Sequence, residues 1–237
     1  MRPTFLVGST EHIRSYRKSN PHTVRTGEDL LWLEWQLVSE IACSENKYLA
    51  NILVHAQELH NYHHEACLSS MRMKPNIGLA LTRMACELSR DVIIMAGDLA
   101  SQELWWNRED RNSAYKKIFR FDRINSPIGS TMHDLYKIGS QFGVHGHINP
   151  LDMKSFPIKH NNRVIQSKIN PGFIDSCIDL SLVAIQSYII SFVEHNAQFM
   201  AVSVKEGSQR RFRQLASDAS EIDIRFRLKN IERELLN

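Results

Sequence analysis

The sequence predicts an all-α fold, arranged as one elongated helical bundle. Apolar residues recur at three- and four-residue spacing through most of the 237 residues, which is the pattern of amphipathic helices. Only ten glycines and seven prolines interrupt that pattern. A chain of this length can bury the core of one large domain. We therefore expect a single helical domain over residues 26–237, with a charged helix at its C-terminal end.

The first 25 residues are predicted to form an irregular basic arm. Asn20-Pro21 interrupts the helical pattern, because proline disfavours the helical conformation of the residue before it. The arm carries five basic side chains against the single acid Glu11, namely Arg2, Arg14, Arg17, Lys18 and Arg25. A solvated arm is favoured over a contact with nucleic acid.

The middle of the chain predicts two long helical stretches. From Glu28 to Met71 the apolar spacing indicates one long helix, or two helices with a joint near Ser44 to Lys47. Lys74-Pro75 ends this stretch, and the next helix is expected from about Asn76 to Ala100. The core stripe of that helix is predicted to consist of Ile77, Leu81, Met84, Leu88, Val92, Met95 and Leu99.

The second half of the chain predicts further helices and one exception to the helical pattern. A helix beginning at Ser126-Pro127 is expected to stop near Gly143, and a long apolar helix should begin at Pro171-Gly172. Between them, Asn161-Asn162 separates two short runs that contain β-branched residues. This arrangement predicts a possible β-hairpin over residues 153–168.

Composition favours a cytoplasmic protein without a membrane partner. The 29 basic and 26 acidic side chains nearly balance, so no global field favours nucleic acid or an anionic membrane surface. The longest apolar stretch contains Asp175 and Asp179, which favour a central bundle helix over a membrane span. Four cysteines lack a C-x-x-C pair, which is typical of a reducing compartment: Cys43, Cys67, Cys86 and Cys177.

The stretch HNYHHEAC, residues 60–67, is a candidate metal site. On a helix His60 and His64 share one face, whereas His63 joins the apolar stripe. A catalytic zinc site needs a third protein ligand, and the order of residues differs from the H-E-x-x-H motif. We therefore favour interior or interfacial histidines without a cofactor. The alternative is a divalent transition metal held by His60 and His64.

A second polar cluster lies in LYKIGSQFGVHGH, residues 135–147. Tyr136 and Ser140 share a helical face, and His145 follows the predicted helix end, where the helix dipole favours a protonated imidazole. On the preceding long helix, Arg83 and Glu87 are spaced for an ion pair. Charges on so apolar a helix are expected to be partly buried and paired. The cluster is either a helix C-terminus that carries polar side chains without a catalytic or binding role, or a functional site.

Taken together, RMACELSRDV with Arg83 and Glu87, followed by Tyr136-x-x-x-Ser140 and His145-Gly146, resembles a known type of protein. The pattern is similar to an uncharacterised group of bacterial all-helical proteins often encoded near mobile elements, and more distantly to the HEPN superfamily. It covers roughly residues 30–200. The resemblance implies a module that binds RNA or a protein partner as a dimer, with links to mobile elements or defence. It makes these five residues a candidate constellation.

The sequence departs from the motif that HEPN ribonucleases carry, in which four to six residues separate an arginine from a following histidine. Gly139, Ser140 and Gln141 occupy the window before His145, and the only literal match, Arg17 to His22, contains a proline. A non-catalytic or weakly catalytic module is therefore favoured. The alternative is a hydrolytic enzyme, either metal-dependent or using His145 as a general base.

The C-terminal region carries a short heptad stripe. Its large aliphatic residues step by four, three and four positions, namely Ile224, Leu228, Ile231 and Leu235. Such a stripe needs a cover, which is either the bundle of the same chain or a second copy. Because dimers are common among HEPN-like proteins, we expect a homodimer.

Overall fold

A computed structural model describes residues 11–44, 47–72, 74–126, 129–141 and 171–196. Within these residues the chain forms α-helices, one 3-10 turn and a π-helical turn at residues 140–141, without strands, so the predicted all-α bundle is confirmed. The helices are α1 Glu11–Ser19, α2 Pro21–Ala42, α3 Lys47–Asn51, α4 Leu53–Met71, α5 Pro75–Ala96, α6 Leu99–Trp106, α7 Asn112–Ile118, α8 Gly129–Gly139 and α9 Pro171–His195, with the 3-10 turn at Phe121–Arg123. The predicted hairpin at 153–168 and the C-terminal helix lie outside the described residues.

The prediction of an irregular arm is wrong for residues 11–25, which are helical apart from the junction at Asn20. The first helix is held in the fold, because Ile13 is fully buried, α1 packs against α2 and α4, and Arg17 pairs with Glu28 of α2 at 2.9 Å. Pro21 occupies the first turn of α2, a position where the missing N–H of proline has no cost. The arm is therefore part of the bundle from Glu11 onward, and residues 1–10 lie outside the described residues.

The helix boundaries in the middle of the chain follow local signals. The joint predicted near Ser44 to Lys47 is present, because α2 ends at Ala42 and the short α3 precedes α4. The next helix, α5, ends at Ala96 instead of Ala100. The carboxylate of Asp98 accepts hydrogen bonds from the backbone N–H groups of Ala100 and Ser101, so it caps the start of a separate helix, α6.

The centre of the bundle consists of α4, α5 and α9, with α2 and α8 packed against them. By length and composition the segment Ile174–His195 of α9 could cross a membrane, but 83% of its most apolar window is buried inside the bundle. A hydrogen bond of 3.0 Å between the hydroxyls of Thr82 and Ser181 joins α5 to α9. The apolar length of α9 therefore serves the core of this bundle.

The predicted core stripe of α5 is partly wrong. Ile77 and Met84 are 49% and 38% exposed, and Leu99 begins the next helix with 41% exposure. Residues that are small or polar lie inside instead, including Gly78, Thr82, Ala85 and Ser89. Because α4, α8 and α9 all pack against α5, small side chains occupy the faces where these helices approach closely.

Two glycines permit the closest helix contacts. A Cβ atom on Gly139 of α8 would lie 2.7 Å from the Cβ of Arg83 and 2.8 Å from the carbonyl oxygen of Leu79, both on α5. On the other side of α5, a Cβ on Gly78 would lie 3.0 Å from the carbonyl oxygen of Ala66 on α4. Glycine is required at both positions by space between helices.

We expect Gly139→Ala to destabilise the protein by about 1–3 kcal/mol, because the added methyl group overpacks a contact with backbone atoms. This loss should exceed the gain from the higher helix propensity of alanine, about 1 kcal/mol. Urea unfolding followed by circular dichroism measures the difference. A matched control is Gly97→Ala, since Gly97 has right-handed φ −84° and ψ −22° that alanine adopts without strain. Equal stabilities of the two variants would show that α8 does not approach α5 this closely.

Candidate functional site

The structure brings Arg83, Glu87, Tyr136 and Ser140 together between α5 and α8. The Nε of Arg83 donates a hydrogen bond of 2.9 Å to the Ser140 hydroxyl. Its Nη2 lies 3.4 Å from the Tyr136 hydroxyl and 3.5 Å from a carboxylate oxygen of Glu87. The guanidinium carbon also lies 5.1 Å from the centre of the Tyr136 ring. His145, the fifth residue of the predicted constellation, lies outside the described residues.

This constellation is only half-buried. The side chain of Arg83 is 25% exposed and that of Glu87 is 40% exposed, so their ion pair contributes little stability in solvent. Ser140 lies in the π-helical turn at residues 140–141 that continues α8. The guanidinium is fixed on one side and accessible on the other. Such a group can bind a phosphate or carboxylate.

A buried network supports the constellation from inside the fold, and its centre is Asp91. One carboxylate oxygen of Asp91 accepts hydrogen bonds from Trp105 Nε1 at 2.9 Å and from the Tyr115 hydroxyl at 2.8 Å. The other oxygen accepts the Nε–H of Arg90 at 2.8 Å. Burial and the Asp91 charge raise the pKa of Tyr115, so its phenol stays protonated and donates. One carboxylate thus anchors α6 and α7 to α5.

Aromatic contacts extend this network to the candidate site. The guanidinium of Arg90 lies 5.3 Å from the centre of the Phe121 ring, in the 3-10 turn. The Phe121 ring lies 5.7 Å from the Tyr136 ring, measured between centroids. Tyr136 is therefore held between Phe121 and Arg83. Asp91 was not among the predicted site residues, although an acid directly after an arginine in the apolar run SRDVIIM was an available signal.

The histidines of HNYHHEAC separate into an interior pair and a surface residue. His60 Nδ1 lies 2.9 Å from one carboxylate oxygen of Glu34 on α2, and His63 Nδ1 lies 2.6 Å from the other. Glu34 and His63 are fully buried, and His60 is 5% exposed. His64 is partly exposed and lies 3.9 Å from Glu65. The expectation of interior histidines is confirmed for His60 and His63.

The metal alternative at His60 and His64 gains no support from this arrangement. Over the described ranges, no three His, Cys, Asp or Glu side chains are placed to hold a metal ion. His60 directs Nδ1 to Glu34, whereas His64 lies at the surface. A metal at His60 and His64 stays a prediction.

Glu34 is ionised in the interior because of its two imidazole partners. Burial raises the pKa of this carboxyl, but His63 and His60 lower it more, and the result is a pKa of about 2. Burial, together with the Glu34 charge, raises the pKa of the Cys67 thiol to about 12 and that of Tyr188 well above its usual value. The thiol and the phenol therefore stay neutral beside the carboxylate. The cluster joins α2 to α4 in a position closed to solvent.

Glu34 was not among the predicted site residues, although the sequence contains a signal for it. Glu34 lies on the apolar face of α2, at helical spacing from the buried residues Leu30, Leu31, Leu37 and Val38. An acid at a core position is costly unless it has partners, so it indicates a buried polar cluster. Its partners are 26 and 29 residues further along the chain, which hid the pairing from local analysis.

No protein-family model matches the chain, and neither the curated proteins nor the solved structures give a match. The HEPN-like resemblance therefore rests on the short patterns around Arg83 and Tyr136, and it stays a prediction. The functional assignment must come from the chemistry of the described surfaces.

We expect Glu34→Gln to destabilise the protein by about 3 kcal/mol or more, because it removes one partner of a buried ionic cluster. The matched control is Glu28→Gln on the same helix. Glu28 bonds Arg17 at 2.9 Å but both side chains are about a quarter to a third exposed, so its loss should cost about 1 kcal/mol or less. Urea unfolding at neutral pH measures both values.

The Glu34→Gln variant also tests how the free energy of unfolding depends on pH. Because the folded pKa of Glu34 lies below the ordinary value of 4.5, its stabilisation is complete above that value and is lost as the pH falls toward about 2. Wild type should therefore lose more stability than Glu34→Gln between about pH 5 and about pH 2. Parallel stability curves for the two proteins in this range would contradict an ionised, paired Glu34.

Proposed function

We propose that the chain is a HEPN-like RNA-binding module that acts as a homodimer without catalysing RNA cleavage. The observation that carries this proposal is the Arg83 guanidinium, which Ser140 and Tyr136 orient at a half-exposed position. An oriented guanidinium recognises a phosphate oxygen through paired N–H groups at a smaller entropy cost than a free side chain.

The segment that runs from α7 to α8, of which α8 packs beside Arg83, carries an excess of positive charge. This segment has five basic and two acidic side chains. Adding Arg83 and Glu87 of α5 gives six basic and three acidic side chains. The other basic residues are Lys116, Lys117, Arg120, Arg123 and Lys137, and the other acids are Asp122 and Asp134. Nonspecific affinity for nucleic acid depends mainly on such local cations, even where the whole chain is nearly neutral.

Aromatic rings lie among these cations. The ring of His133 stacks on Phe121 with centroids 5.1 Å apart and an angle of 18° between planes, and Tyr136 also contacts Phe121. Burial, with help from Lys137, lowers the pKa of His133, so its ring is a neutral flat surface at the edge of the bundle. Bases of single strands stack on such rings. The resemblance favours RNA over DNA, and a cytoplasmic location accords with that ligand.

Binding is favoured over hydrolysis by the surroundings of the two hydroxyls. In the part of the chain that the structure describes, neither Ser140 nor Tyr136 has a hydrogen bond to an imidazole or carboxylate that could take its proton. Serine and tyrosine hydroxyls need such a base to act as nucleophiles at neutral pH. The hydrolytic alternative depends on His145 or on a metal at His60 and His64.

The test uses the full chain and a fluorescein-labelled single-stranded RNA of mixed sequence, followed by fluorescence anisotropy. Arg83→Ala and the double variant Lys116→Ala, Lys117→Ala should each weaken binding by about tenfold and flatten its salt dependence. The matched control is the double variant Arg14→Ala, Arg25→Ala, which removes the same charge from exposed positions on α1 and α2. Its affinity should stay close to that of wild type.

Three results would contradict this proposal. If the wild-type protein has no measurable affinity for the RNA, the alternative that the resemblance also implies, a protein partner, is favoured. Equal losses in the two double variants would indicate unspecific attraction. Cleavage of the labelled RNA, or a stoichiometric zinc, iron or manganese ion in purified protein that is lost in the His60→Ala, His64→Ala double variant, would favour the hydrolytic alternative.

The proposed homodimer is a separate prediction. It rests on the resemblance and on the stripe of Ile224, Leu228, Ile231 and Leu235, which lies outside the described residues. Light scattering at micromolar concentration should give the mass of two chains. A monomer across the dilution range would overturn the dimer, and a dimer unaffected by Leu228→Glu would place the interface elsewhere.

A further inference from the structure

A second surface, distinct from the one around Arg83, is formed by large apolar residues near the start of α4 and along α6. Trp106 is 64% exposed, Val54 is 68% exposed and Leu99 is 41% exposed. Leu99 and Trp106 lie seven residues apart, so they share the outer face of α6. Val54 directly precedes His55, whose ring lies 5.5 Å from the Trp106 ring between centroids. We call these three residues the Trp106 surface.

The Trp106 surface stands on rigid support. The ring of Trp106 meets that of Trp105 edge-on, with centroids 5.2 Å apart, and His55 contacts both rings. Trp105 is itself fixed by its hydrogen bond to the buried Asp91 carboxylate. An exposed tryptophan on a rigid base has already lost much of the conformational freedom that binding would otherwise cost. Tryptophan is also enriched among residues that dominate binding energy.

Acidic side chains lie close along α4 and α6 to the residues of the Trp106 surface. Glu58 on α4 and the segment from Asp98 to Arg111 together carry five carboxylates against two guanidinium groups. The exposed acids are Glu58, Asp98, Glu103, Glu109 and Asp110. One of the two cations, Arg108, lies with its guanidinium carbon 3.9 Å from the centre of the Trp105 ring. Burial lowers the pKa of His55, which keeps the imidazole beneath Trp106 neutral. The surface is therefore apolar at its centre and acidic at its edge.

We propose that the Trp106 surface docks a protein segment in which apolar side chains alternate with lysine and arginine, such as a basic amphipathic helix. Apolar contact with Trp106, Val54 and Leu99 would supply affinity, and the carboxylates would supply orientation and selectivity. This inference goes beyond RNA binding and uses residues that the Arg83 site does not.

The charge of the surface argues against two other occupants. RNA is repelled by an edge with more carboxylates than cations, in contrast to the basic segment from α7 to α8. A second copy of the chain would place the same acidic edge against itself across a two-fold axis, where like charges oppose association. A basic, partly apolar segment is complementary to both features.

The test uses two labelled synthetic helical peptides that share their leucine positions and differ only in having lysine or glutamate at the polar positions. The full chain should bind the leucine–lysine peptide and bind the leucine–glutamate peptide much more weakly. Trp106→Ala and Val54→Glu should each weaken binding of the leucine–lysine peptide by about tenfold or more. Glu103→Lys should weaken it too and narrow the preference between the two peptides.

The matched control is Ile77→Ala, since Ile77 is 49% exposed at the end of α5 that lies farthest from α6. Its affinity for the leucine–lysine peptide should equal that of wild type. The proposal is overturned if Trp106→Ala binds this peptide as wild type does, or if wild type binds both peptides equally. The proposal is also overturned if Trp106→Ala weakens binding of the labelled RNA and leaves binding of the peptide unchanged. The Lys116→Ala, Lys117→Ala variant should bind the peptide normally, so failure of RNA binding and failure of peptide docking are separate outcomes.

Discussion

Close contact between α5 and its three neighbours is the constraint on which the arrangement of this bundle depends. Gly78 faces α4 and Gly139 faces α5, and in each case a backbone carbonyl occupies the space that a Cβ would need. Helices this close leave room only for small side chains at the contact points, so Ile77 and Met84 of α5 are exposed while Gly78 and Ala85 are buried. The same contact places Ser140 beside Arg83. The geometry of the candidate site therefore follows from a requirement of packing.

Two buried carboxylates, Glu34 and Asp91, join further helices to the bundle. Glu34 receives two imidazoles and connects α2 to α4. Asp91 receives an indole, a phenol and a guanidinium, and it connects α5 to α6 and α7. Buried charges contribute little net stability even when well paired, but they allow few alternative arrangements. Glu34 fixes α4, which carries Val54 of the Trp106 surface. Asp91 fixes α6, which carries the rest of that surface, and α7, which carries Lys116 and Lys117.

The sequence predicts the helical class, the joint after α2 and the ion pair of Arg83 with Glu87, because each follows from local spacing of residues. The grouping of Arg83 with Tyr136 and Ser140, 53 and 57 residues away, was implied only by the resemblance. It fails where the deciding contact is distant in sequence. Ile13 belongs to the core because α1 packs against α2 and α4, and Tyr16 is partly buried against the same core. Periodicity also misplaced the core side of α5, since a helix with three neighbours has no single apolar stripe to find.

The pairing of α5 with α9 has a consequence for the order of folding. Thr82 and Ser181 are 99 residues apart, and Ile93 and Asn196 are 103 residues apart, whereas α4 and α5 are neighbours in the chain. The equilibrium cost of closing so long a loop is modest, about 0.6 kcal/mol for each doubling of length. The kinetic cost is larger, because distant contacts form late. During synthesis the α4–α5 pair is therefore complete while its apolar face still awaits α9, and this interval is when the nascent chain is most exposed to association with others.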